Sequence, residues 1–154
     1  VSGNDCVFGA NGASAYLIVK TGGNVGIGTS SPSYKLEVNG SFAATSKSFL
    51  IKHPLKEGKR LQHGVLEGPE HGVYVRGTAT SSKILLPEYW SKLVEKDSIT
   101  VQLTPIGKHQ NLAVVDVNLT EITIENQNTF NKSINCYYFV QADRIDIPKL
   151  EVEV

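Results

Sequence analysis

Histidine, cysteine and carboxylate side chains are the groups in this 154-residue chain that could do chemistry, and their spacing decides how much. Four histidines, His53, His63, His71 and His109, could converge on a metal. A closed zinc site needs four N or S ligands at short, regular spacings. The histidine spacings match no common zinc pattern, and the two cysteines, Cys6 and Cys136, stand far apart. One arrangement escapes this objection: in a trimer, a single His63 or His71 near the axis supplies three ligands. Neutral imidazoles on polar turns ordinarily serve as hydrogen-bond partners, so no metal and no other cofactor is expected.

Glu67 and Glu70 could form the acid pair that glycoside hydrolysis requires across a substrate bond. They flank Gly68-Pro69, a turn, where acids are ordinarily solvated. Serines are plentiful, yet no Gly-x-Ser-x-Gly elbow occurs. Gly26-Ile27-Gly28 after Gly22-Gly23 resembles a phosphate-binding loop, but Thr29-Ser30-Ser31-Pro32 follows where a helix is needed. Glycines that let neighbouring backbones approach closely are the better reading. Asn39-Gly40-Ser41, Asn118-Leu119-Thr120 and Asn131-Lys132-Ser133 satisfy the N-glycosylation pattern, which matters only for a secreted eukaryotic chain. A sugar platform could draw on Tyr74, Tyr89, Trp90 and Tyr137, although large aromatics in β domains more often fill the core.

The elements that must position these groups follow from composition. Fifteen basic residues balance fifteen acidic ones, so no overall field draws the protein to a phosphate backbone or an anionic membrane surface. Nucleic acid is not an expected partner. The longest apolar runs, Ile84-Leu85-Leu86 and Tyr137-Tyr138-Phe139-Val140, fall far short of the roughly 20 residues that cross a bilayer, and membrane insertion is not expected. No signal peptide is visible, and the missing initiator Met is read as the mark of a fragment or processed product. Two cysteines cannot supply a disulfide framework, so both are expected as free thiols, Cys136 within an apolar strand.

Thirteen of the 14 glycines fall at or before Gly77, and the chain changes character accordingly. Residues 1–45 are small and turn-forming, with three strand-like pieces at Tyr16–Val19, Val25–Gly28 and Tyr34–Val38. Ordering such a segment costs about 1–2 kcal/mol per residue in backbone entropy, and its few large apolar side chains cannot enclose a core. It must pack against something else, most simply copies of itself in a closed assembly.

Residues 46–154 read as a compact β domain. Strands are expected at Phe49–Ile51, Leu61–Leu66, Val73–Arg76, Lys83–Leu86, Ile99–Thr104, Leu112–Val117, Glu121–Glu125, Ile134–Val140 and along a tail from Arg144 to Val154. Turn clusters between them recur at the spacing of sandwiches and barrels. Only Pro87–Val94 looks helical, at most two turns carrying Trp90 into the core. The expected fold class is all-β: a glycine-rich intertwined N-terminal stalk, then a β-sandwich or barrel-like domain with one short helix.

The run Gly23-Asn24-Val25-Gly26-Ile27-Gly28-Thr29-Ser30-Ser31-Pro32-Ser33-Tyr34-Lys35-Leu36-Glu37-Val38-Asn39-Gly40 resembles a module common in tail fibres and tailspikes of tailed bacteriophages. The segments Lys47–Pro54 and Arg60–Gly77, continued by Leu86–Trp90 and Val101–Gly107, are similar to a β-rich domain of phage fibre and virion structural proteins. The resemblance spans most of the chain from Gly23 onward, and its second part is the more specific. It implies a homotrimeric, elongated virion protein, joined to an upstream part of the fibre and ending in a compact β head. Many relatives of the glycine-rich module end in a self-cleaving chaperone with a Ser-Lys dyad. Its Ser-Asp-x-Arg-Leu-Lys-like start is missing, and Ser46-Lys47 is not that motif, so autoproteolysis is not carried over.

The expected function is therefore non-enzymatic: a C-terminal fibre segment in the virion that holds three chains together and presents a head to a host-surface glycan or receptor. Several weakly binding heads on one fibre raise the effective concentration. Contacts are expected from loops on a rigid scaffold: Lys56, Lys59 and Arg60 in one, Glu70 and His71 in Gly68–Gly72, and Lys108, His109 and Gln110 in a third. Two other readings are a trimerisation cap or connector without a receptor, and a glycan-cleaving tailspike enzyme.

Overall fold

A computed structural model describes residues 4–9 and 17–153. The chain is all-β, mostly strand with no α-helix among the described residues, and divides into two compact units, Val1–Ser46 and Lys47–Val154. Tyr16, the start of an expected strand, and Val154, the end of the expected tail strand, lie outside the described residues.

In the first unit four three-residue strands form one sheet in chain order: β1 (Cys6–Phe8), β2 (Leu17–Val19), β3 (Val25–Ile27) and β4 (Leu36–Val38). The first two pairings are antiparallel, and β3 pairs with β4 in parallel. Turn chemistry sets the connections. Gly23 adopts φ 79° in the β2–β3 turn, where its N–H donates to the Lys20 carbonyl at 2.7 Å. Gly26 permits a close approach, because a Cβ there would lie 2.4 Å from the Thr29 carbonyl oxygen and 3.0 Å from Ile18 Cγ2. That is the close-backbone role, with β4 following the glycines where a phosphate loop would have a helix. Asp5 ties β1 to the β2–β3 turn, accepting the Thr21 N–H at 2.9 Å and the Lys20 ammonium at 3.1 Å. Among this unit's described residues Ile18 is the large apolar side chain that is buried, whereas Phe8, Ile27, Tyr34, Leu36 and Phe42 are exposed.

The second unit is built on two three-stranded antiparallel sheets and a hairpin. β5 (Ser48–Lys52) and β6 (Arg60–Gly64) form the hairpin, and β7 (Gly72–Ala79), β8 (Lys83–Leu85), β9 (Thr100–Pro105), β10 (Leu112–Val117), β11 (Glu121–Asn126) and β12 (Cys136–Asp143) form the sheets. The sheet orders are β10-β11-β8 and β7-β12-β9. Both contribute their inward faces to one core: Ile84, Ile122 and Ile124 from the first, Val73, Ala79, Cys136, Val140 and Ala142 from the second. Phe49, Ile51 and Leu61 pack the hairpin against it.

Trp90 is fully buried at the centre of the connection between β8 and β9, beside Leu93 and Val94. The segment carrying it is a short 3-10 helix, Glu88–Lys92, within the Pro87–Val94 stretch expected to be helical for at most two turns. Tight bonds such as Trp90 N–H to the Pro87 carbonyl, 2.9 Å, suit a short connector whose task is to aim one side chain inward. The strand expected over residues 144–154 does not form. Arg144 makes one bridge to Val94, and no strand follows. Pro148 removes a ladder donor there, and the residues beyond it find no strand partner among the described residues.

Candidate functional site: the outward face of the β7-β12-β9 sheet

Strand alternation divides β7, β12 and β9 between core and surface. Burial of Val73 and Ala79, with Val75 half-buried on the same side, turns Tyr74, Arg76 and Thr78 outward, and burial of Cys136, Val140 and Ala142 turns Tyr137, Phe139 and Gln141 outward. On β9, Thr100, Gln102 and Thr104 face the same way. The register then fixes three rows across the sheet: Thr78–Tyr137–Thr104, Arg76–Phe139–Gln102 and Tyr74–Gln141–Thr100. Behind this face, the inward ring of Tyr138 lies against Gly77, where a Cβ would come within 2.7 Å of the tyrosine hydroxyl. A side chain at position 77 would displace that ring, so the glycine accommodates the central strand's aromatic.

The face presents aromatic rings among polar side chains. Tyr74 and Phe139 stack with centroids 5.2 Å apart and planes 17° from parallel, and Tyr137 is 57% exposed. Arg76, Thr78, Gln102, Thr104, Tyr137 and Phe139 surround a depression of about 450 Å³. Arg76 is the one charged side chain lining it. Such a surface combines ring faces for apolar patches with hydrogen-bonding groups for hydroxyls.

The residues expected from sequence occupy other places. Lys56, Lys59 and Arg60 come together around a depression of about 620 Å³ at the β5–β6 turn, with Lys52, His53 and Glu57. His53 shapes that turn, its Nδ1 accepting the N–H groups of Leu55 and Lys56, both at 3.1 Å. Glu70 and His71 line a separate hollow of about 220 Å³ with Asp143, Arg144 and Lys149. Glu70 also accepts a hydrogen bond from Gln141, at the margin of the aromatic face. Lys108, His109 and Gln110 stand between β9 and β10. There the Gln110 amide clasps the Asn135 backbone, donating to its carbonyl at 2.7 Å and accepting its N–H at 2.8 Å. Gln110 thus fastens two loops together.

Of the aromatic pool, Trp90 is in the core, and Tyr89 is half-buried with its hydroxyl 3.1 Å from His63 Nε2. His63 lies between the rings of Phe49, at 5.0 Å, and Tyr89, at 5.6 Å. The Arg144 guanidinium sits 3.8 Å over Phe49, held by a two-pronged bond to Asp146 at 2.7 and 2.8 Å. Burial, and secondarily the positive Arg144, hold the His63 pKa below its ordinary value, while burial pushes the Tyr89 hydroxyl up. Among the described residues, no group of three histidine, cysteine or acidic side chains could hold a metal. No described helix is long and apolar enough to cross a membrane. The two acids of the hydrolytic reading are engaged apart, Glu67 with Lys47 and Glu70 with Gln141.

Arg76, Gln102 and Phe139 are the residues that loop-centred reasoning misses. The alternation Val73-Tyr74-Val75-Arg76 carries the signal for which side chains face out, but the meeting of three strands is a matter of register. No protein-family model, curated protein or solved structure matches the chain.

Proposed function

We propose that the chain is a non-enzymatic segment of a tailed-phage fibre, in which the first unit joins three copies and the β domain holds a host-surface glycan. The observation that carries this reading is the outward face of β7, β12 and β9, where Tyr137 and the Tyr74–Phe139 stack stand among Arg76, Gln102 and threonine side chains. A β scaffold that packs its core on one side of a sheet and exposes aromatics with polar neighbours on the other fits saccharide, which offers both apolar ring faces and hydroxyls. The fibre assignment rests on the resemblance of the Gly23–Gly40 run and of the segments that follow it. Three heads on one fibre make a modest single-site affinity sufficient.

Titration of the purified protein with polysaccharides from bacterial surfaces tests the binding arm. Tyr137→Ala should weaken binding about tenfold or more, as removal of an aromatic anchor does. Absence of binding to every surface glycan overturns the reading in favour of a connector.

The connector reading has its own support in the exposed Phe8, Ile27, Tyr34, Leu36 and Phe42 of the first unit, large apolar side chains that self-association would remove from water. Sedimentation decides the assembly arm. Deleting residues 1–46 should abolish a trimer, and a full chain that stays monomeric at micromolar concentration would overturn trimerisation.

A further inference from the structure

Resting on the glycan reading above, we infer that the depression on the β7-β12-β9 face takes a carboxylate-bearing saccharide, a sugar acid of the hexuronate kind. Arg76 supplies the charge. It is the one charged side chain lining the depression, and among the described residues no carboxylate lies within ion-pair distance of it. Lys83 binds Glu121 at 2.8 Å, Lys20 binds Asp5 at 3.1 Å and Arg144 binds Asp146 at 2.7 Å, whereas Arg76, like Lys52 and Arg60 of the β5–β6 hairpin, has no carboxylate at that distance among the described residues. What sets Arg76 apart from those two is its place among the aromatic rings of the sheet face, where its guanidinium is available to an anion from outside the chain.

The neighbours of Arg76 select the partner's shape. Phe139 stands directly opposite it, and Gln102 follows in the same row. Tyr137 is its diagonal neighbour, a separation of about 7–8 Å in an antiparallel pair. A planar guanidinium fork matches a carboxylate with two parallel hydrogen bonds. With the carboxylate on Arg76, the sugar ring falls towards the exposed face of Tyr137, and Thr78, Thr104 and Gln102 stand within the same depression for its hydroxyls. A simple inorganic anion would make no use of the rings.

The basic β5–β6 turn is the competing anion site, with Lys52, Lys56, Lys59 and Arg60 around its own depression. Its cations suit phosphate as well as carboxylate, and its lining residues include no Phe, Tyr or Trp. The two sites are separable by substitution.

The test uses the full chain, a panel of short uronate-containing oligosaccharides including oligogalacturonate, the same oligosaccharides with carboxyls reduced to alcohols, and inorganic phosphate. Acidic oligosaccharides should bind at least tenfold more tightly than their reduced counterparts, and added salt should weaken them. Arg76→Gln should remove that preference, Arg76→Lys should restore only part of it, and Tyr137→Ala should weaken acidic and reduced forms alike. Lys59→Gln with Arg60→Gln should leave acidic binding unchanged. Position 76 is exposed, and unchanged Trp90 fluorescence will verify that these variants fold. Equal binding of acidic and reduced forms, or loss of acidic binding through the turn variant instead of Arg76→Gln, overturns the sugar-acid assignment and leaves the glycan reading standing. Competition by inorganic phosphate as strong as by oligogalacturonate also overturns it. If no saccharide of either kind binds, the sugar-acid assignment falls, and the glycan reading falls with it only when the bacterial-surface polysaccharides also fail to bind.

Discussion

In the unit Val1–Ser46 every described strand is three residues long, and Ile18 is the large apolar side chain buried among the described residues; in Lys47–Val154, β7 and β12 run for eight residues and twelve buried hydrophobics form one cluster. The first unit holds its shape with polar links between loops and backbone. Asp5 accepts from Thr21, the Asn24 amide donates to the Pro32 carbonyl at 3.1 Å, and the Asn39 amide donates to the Gly28 carbonyl at 3.2 Å. Each such bond contributes about 1 kcal/mol net, against a backbone entropy cost of similar size for every ordered residue. A sheet can therefore be regular in shape without being self-sufficient. The second unit removes large side chains from water, the dominant favourable term in folding.

The largest expected effect falls on that core. Trp90→Ala should cost the second unit about 3–5 kcal/mol, enough to unfold a domain of ordinary marginal stability. Cys136 reports it: the thiol is fully buried, and burial holds its pKa up, so alkylation requires opening. Cys6 in the first unit is exposed and serves as the internal standard. The Cys6-to-Cys136 rate ratio should collapse in the variant, and a Cys136 that stays protected would show that the core is not centred on Trp90. Trp90→Phe should lose less than Trp90→Ala, because it keeps a large ring, leaves a smaller cavity and removes an indole N–H that meets no acceptor among the described residues.

A smaller loss is expected where backbones, not side chains, meet. Gly26→Val places a Cβ against the Thr29 carbonyl, which must move for the strand to remain. Overpacking of this kind costs about 1–3 kcal/mol. Amide exchange at Val25–Ile27 should accelerate toward unprotected rates. Unchanged exchange would mean that close backbone approach is not what the glycine provides.

Strand-by-strand, the β domain is legible in sequence because its apolar residues alternate: Ile122 and Ile124 face the core, with Thr123 between them less buried. Where alternation misleads is the tail. Ile145, Ile147, Leu150 and Val152 have the look of a strand, yet Pro148 interrupts it and no sheet edge among the described residues receives it. Cys6–Phe8 escapes notice for the opposite reason, since its strand character comes from pairing with Leu17–Val19 across a gap in sequence. The parallel β3–β4 pairing is equally non-local. The candidate site follows the same logic. Tyr74 and Tyr137 stand out by residue type, but Arg76, Phe139 and Gln102 become neighbours only through the register of three strands.

Acid sharpens the contrast with the smallest effect. Asp5 has its pKa held below 3.8, first by the Thr21 N–H and then by the Lys20 ammonium. Its contribution to the first unit is complete above the unfolded value and is lost as pH falls through the lower folded one. His63 is held below 6.5 by burial and by Arg144, so the folded β5–β6 hairpin favours the neutral ring. That contribution is complete above 6.5 and declines as pH falls through the folded value, because the unfolded chain takes up the proton first. Between these two ranges the hairpin should loosen while the Asp5 links persist. Amide exchange at Phe49 and His63 should therefore be faster at about pH 5 than at about pH 8, relative to exchange at β2 and β3, since histidine is the side chain that titrates there. His63→Phe keeps an aromatic ring beside Phe49 and Tyr89 and removes the titrating group, so it should flatten that dependence. A hairpin in the parent protein whose protection follows the first unit's between those two pH values would break the assignment to His63.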